Sequence, residues 1–118
     1  GINSIIIEAQ QKVRKNMNKK ELESNFEAEM IRFYKEASKL GYNATRFLDM
    51  FYEFGGVNSA KKLLAKEKYI QEGVIKLWEL GRLDLSVEAL VLKPEYKDLF
   101  SEAELATAKK RLNELNYN

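Results

Sequence analysis

The chain has 118 residues, 45% of them hydrophobic, which is enough to bury one core and leaves no length for a second. It contains no cysteine and no histidine, so disulfides, thiolate metal sites, cysteine nucleophiles and histidine-based general catalysis are excluded. Twenty basic residues oppose 18 acidic ones, and a surplus of +2 does not by itself commit the protein to nucleic acid.

No apolar run approaches the roughly 18 residues of a membrane span. The start, Gly1-Ile-Asn-Ser-Ile-Ile-Ile-Glu8, lacks a basic leader and is too short for the apolar region of a signal peptide. The expectation is a cytoplasmic protein with no membrane partner.

Ile2, Ile6, Ala9, Val13 and Met17 follow steps of 4, 3, 4 and 4, which predicts a first helix over about 4–17. Asn18-Lys-Lys-Glu21 and Ser24-Asn-Phe-Glu27 each have the form of a capping box, so either can open the second helix. Its body places Leu22, Phe26, Met30, Phe33, Ala37 and Leu40 on one stripe, with Ile31 facing away and Gly41 as a left-handed C-cap.

A third helix is expected over about 44–54, with Phe47, Leu48, Met50, Phe51, Tyr52 and Phe54 covering more than half its circumference. That coverage predicts a central, largely buried helix. Gly55-Gly56 stops it, a fourth helix runs over about 57–66, and a fifth over about 70–80 carries Trp78, read as core, and ends at Gly81. Asp84 or Ser86 caps a short helix through Leu92. Pro94 suits the first turn of another, and Ser101-Glu-Ala-Glu104 opens a last helix to about Leu115. The prediction is an all-α, compact, single-domain bundle over 1–118, with six to eight mostly short helices and a longer N-terminal pair. Residues 1–20 form its arm or dimerisation helix.

Three groups of residues carry functional readings. The seam Ile2, Ile6, Ala9, Val13 and Met17, with Ile31, is near-heptad and narrow, and suits self-association or packing on the second helix. Lys12, Arg14, Lys15 and Lys19 make a basic face on the first helix, and Ser59, Lys62 and Lys66 project together on the fourth. These are the candidate nucleic-acid contacts; the competing reading is a solvated outer face. The Gly-Gly turn suggests a helix-turn-helix, but Phe51 or Tyr52 occupies the place of its small residue and Lys61 or Lys62 that of its apolar anchor.

Asp49 with Glu53 and Asp84 with Glu88 are i,i+4 carboxylate pairs, a spacing that can hold a divalent cation for nuclease chemistry. Arg46 and Arg82 are placed to neutralise them instead. The sequence therefore offers no catalytic, cofactor or metal residue and no small-molecule substrate. It reads as a non-enzymatic binding module with a protein partner, itself included, and with nucleic acid as the alternative. The carboxylate-metal nuclease is a distant third.

The segments Tyr42-Asn-Ala-Thr-Arg-Phe-Leu48, Gly55-Gly-Val57, Lys61-Lys-Leu-Leu64 and Gly81-Arg-Leu-Asp-Leu-Ser-Val-Glu-Ala-Leu-Val-Leu92 have a collective resemblance, continued by Pro94-Glu-Tyr96, Leu99-Phe100 and the final helix. Over about 26–112 the chain resembles a family of small bacterial helical proteins. The resemblance implies a helical module, alone or appended to a larger protein. It implies no activity and transfers no functional residue.

Overall fold

The computed structural model describes residues 2–7, 18–65 and 67–117, with side chains throughout except at 67–71. Every regular element in these ranges is a helix, and there is no strand. The order is α1 (2–7), α2 (Lys19–Lys39), α3 (Thr45–Phe54), α4 (Gly56–Ala65) and α5 (Glu67–Glu79). A 3₁₀ turn at Leu83–Leu85, α6 (Val87–Val91), a 3₁₀ helix at Pro94–Leu99 and α7 (Glu102–Glu114) follow. No helix among the described residues is long and apolar enough to cross a membrane.

Local chemistry sets the boundaries. The Asn18 side-chain Oδ1 accepts from the Glu21 amide at 2.8 Å and its Nδ2 donates to the Glu21 carboxylate at 2.9 Å, so α2 opens at Asn18 rather than Ser24. At the other end Gly41 adopts φ +96°. That lets Tyr42 N donate to Ala37 O and Gly41 N to Ser38 O, closing a Schellman motif. The same pair of bonds recurs after α5, from Arg82 to Leu77 and from Gly81 to Trp78. Ser86 caps α6 through the Ala89 amide, and Ser101 with Glu104 forms the reciprocal capping box of α7.

The long α2 is the spine. Phe26 is fully buried, meeting Tyr96 edge-on and Phe100 at a tilt, each at 5.3 Å between ring centroids. Around it lie Met30, Ala60, Leu64, Leu90, Val91, Leu99 and Ala108, joining α2, α4, α6 and α7. A second buried cluster, Ala37, Leu63, Val74, Leu77, Leu83, Leu85 and Leu112, ties α5 and the 3₁₀ turn to the same spine.

Three expectations are corrected. None of the α3 residues is fully buried; Tyr52 is 78% exposed, and α3 packs mainly on α4 at the surface. Trp78 is half exposed rather than core, because the inner side of α5 is taken by Val74 and Leu77, four positions and one position before it. Leu40 leaves the α2 stripe at the C-cap, where the chain turns, and is 42% exposed. The first helix is helical over 2–7; Ala9, Lys12, Val13, Arg14, Lys15 and Met17 lie outside the described residues, as does Lys66.

Candidate functional site

Among the described residues, two places offer apolar surface or volume for a candidate site. The first is α1. Ile2 and Ile6, the described members of the predicted seam, are 76% and 49% exposed, and Ile5 and Ile7 are exposed beside them. At about 100° per residue these four side chains spread over more than half the helix circumference, wider than the seam read from periodicity. Ile31 on α2 is half-buried.

The basic residues separate. Lys19 and Lys62 are exposed, and the Lys62 ammonium lies 4.2 Å from the centroid of the Phe54 ring. Ser59 does not share that surface. It is fully buried on the inner side of α4, and its Oγ is the one buried side-chain polar atom without a hydrogen-bond partner among the described residues. Its assignment to the basic face fails because Ala60 and Leu63 turn that part of α4 inward.

The carboxylates separate too. Asp84 accepts from Arg82 Nε and Nη2, both at 3.0 Å, and this hydrogen bonding holds its carboxyl below the ordinary range. Glu88 points inward instead, with Arg111 Nη1 at 3.4 Å. Asp49 and Glu53 are exposed on α3. Among the described residues no three acidic side chains gather as a metal site.

Arg111 does more than meet Glu88. Its Nη1 and Nη2 donate to the carbonyls of Leu63 and Leu64 at 3.2 and 3.3 Å, in the last turn of α4 where helical carbonyls lack partners. Burial outweighs the nearby guanidinium and pushes the Glu88 carboxyl up. The opposite balance holds at Glu29. Burial there acts to raise the carboxyl, but hydrogen bonds from Lys93 and Tyr96, with the charges of Lys93 and Arg32, win and lower it. Neither cluster was visible in the sequence, since the partners are 23 to 67 residues apart.

The second place is a cavity of about 270 Å³ between α2, α3, α5 and α6. Met30, Ala37, Leu63, Val74, Leu77 and Leu90 make its buried walls. Four aromatic side chains border it, Phe33 and Tyr34 from α2, Tyr42 from the α2–α3 loop and Phe47 from α3; Tyr34 and Phe47 stack at 6.4 Å. Ser86 and Glu88 lie buried in the lining, while Asn43, Thr45, Arg46 and Glu72 are exposed and mark the mouth. Of the apolar residues on α3 only Phe47 lines this space, so the apolar excess of that helix was no signal for it.

Comparison with protein-family models, with curated proteins and with solved structures finds no match.

Proposed function

We propose that this chain is a small helical binding module that acts by protein–protein contact rather than catalysis, and that α1 is its contact element, with a second copy of the chain as partner. The observation that carries this reading is the exposure of Ile2, Ile5, Ile6 and Ile7 in six consecutive helical residues. Contiguous apolar surface of this kind marks interaction sites, and scattered single residues do not. A short helix is also marginal alone in water and gains from packing on a partner. Half-buried Ile31 adds apolar surface on α2.

Sedimentation velocity at tens of micromolar tests the reading. The wild-type chain should sediment as a dimer that persists in 1 M salt, and Ile6→Asp should shift it to monomer. A monomeric wild-type chain at these concentrations would sink the proposal. If instead a complex forms only with added duplex DNA and weakens steeply with salt, the partner is nucleic acid, met by Lys19 and Lys62 with Lys12, Arg14, Lys15 and Lys66.

A further inference from the structure

We propose that the cavity between α2, α3, α5 and α6 is a binding site for a small, uncharged aromatic molecule of about two fused rings, with a polar substituent at its outer edge.

Volume sets the size. An apolar cavity of about 150 Å³ accepts benzene, so about 270 Å³ admits a bicyclic ring system. The same volume rules out a helix of a second copy, which is about 10–12 Å across with its side chains. Water is a poor occupant, because Met30, Val74, Leu77 and Leu90 offer it no hydrogen bond.

The walls set the chemistry. Rings of Phe33, Tyr34, Tyr42 and Phe47 border the space from two helices and the loop between them, and ring–ring contacts favour a planar aromatic guest over an alkyl chain. The two polar residues deep in the lining, Ser86 and Glu88, are already engaged. The Ser86 hydroxyl donates to Leu83 O at 2.7 Å and accepts from the Ala89 amide at 3.1 Å; Glu88 meets Arg111. A charged group buried here would therefore find no partner, and burying it would be costly. The other polar side chains of the lining are those of Tyr34 and Tyr42 and, at the exposed mouth, Asn43, Thr45, Arg46 and Glu72; a hydroxyl or amide of the guest would sit toward the mouth, where water also reaches it.

The placement of α3 supports entry. It joins α4 through Gly55 at φ +81°, and its Phe47 is only half-buried where it packs against both cores, so the ring that borders the cavity also reaches its open side. This site is separate from α1, and its test is independent of self-association.

The experiment is a titration of the full chain with 1-naphthol, followed by calorimetry and by amide chemical shifts. The expected result is saturable one-to-one binding, with shifts centred on Phe33, Phe47, Val74, Leu77 and Leu90. Ala44→Trp, at a half-exposed lining position, should weaken binding at least tenfold while leaving the urea midpoint close to that of wild type. Tyr52→Ala, on the exposed side of α3, should leave it unchanged. The proposal is overturned by no saturation at millimolar 1-naphthol, by shifts centred on residues 2–7 or Trp78, or by tighter binding of 1-octanol than of 1-naphthol.

Discussion

At Gly56 the first turn of α4 lies against Glu27 of α2 so closely that a Cβ would stand 2.4 Å from Glu27 Cγ. Rotating the glutamate away does not relieve the contact, since its Cβ and backbone Cα would remain at 3.2 and 3.3 Å. The two helices must then move apart around Phe26, which is fully buried. Gly56→Ala should destabilise the fold by about 1–3 kcal/mol, the usual cost of overpacking. A urea melt with a lowered midpoint and unchanged slope checks this. A neutral result would mean that α2 and α4 separate freely. The requirement is steric rather than conformational. The neighbouring Gly55 is the one with positive φ, and the sequence shows only two adjacent glycines without dividing these roles.

Helix ends are where the sequence was most legible. Gly41, Gly81 and the Ser101–Glu104 box sit where their local chemistry placed them, because a cap depends on residues a few positions from itself; for α2, where Asn18 and Ser24 both had the form, the structure uses Asn18. Ser101→Ala should accordingly cost about 1 kcal/mol, read as a lower thermal midpoint, with Ser101→Asp restoring most of it. An alanine variant as stable as wild type would show that α7 is held by its packing alone. Burial was legible only where one face is apolar, as along Phe26, Met30 and Ala37 of α2. On α3 the apolar positions exceed one face, and the sequence cannot distinguish a helix enclosed by protein from one left half-covered at the surface, where Tyr52 and Phe54 are exposed. Trp78 and Ser59 fail for a related reason. Their exposure is set by which side of the helix neighbouring elements cover, and that is decided by segments far along the chain.

For the whole molecule, the carboxylates pull stability in opposite directions with pH. Glu29 and Glu104 sit below the ordinary value of 4.5, and Asp84 below 3.8. In the glutamates burial opposes the shift; hydrogen bonds from Lys93 and Tyr96, and from Lys61 and the Ser101 amide, overcome it. Their contributions are present above the unfolded values and are lost as pH falls through the lower folded ones. Glu88 behaves inversely. Burial raises it, so its contribution is complete below 4.5 and is lost as pH rises through the higher folded value. Between pH 7 and 4.5, acidification should therefore stabilise wild type relative to Glu88→Gln, seen as a growing gap between their urea midpoints. A gap that stays constant over that range would mean that Glu88 does not titrate there.

Arg111 ties α7 to two other elements at once. Leu63, Leu64 and Glu88 stand 48, 47 and 23 residues from it in sequence, so their acceptors meet this donor only when α7 is docked. A chain packed around Phe26 with α7 undocked would leave them without it, at a penalty wherever they stay buried. Arrival of one guanidinium satisfies three acceptors together and lets α7 dock. One side chain of the last helix thus clasps α4 and α6 at once, so undocking α7 leaves acceptors on both without their donor.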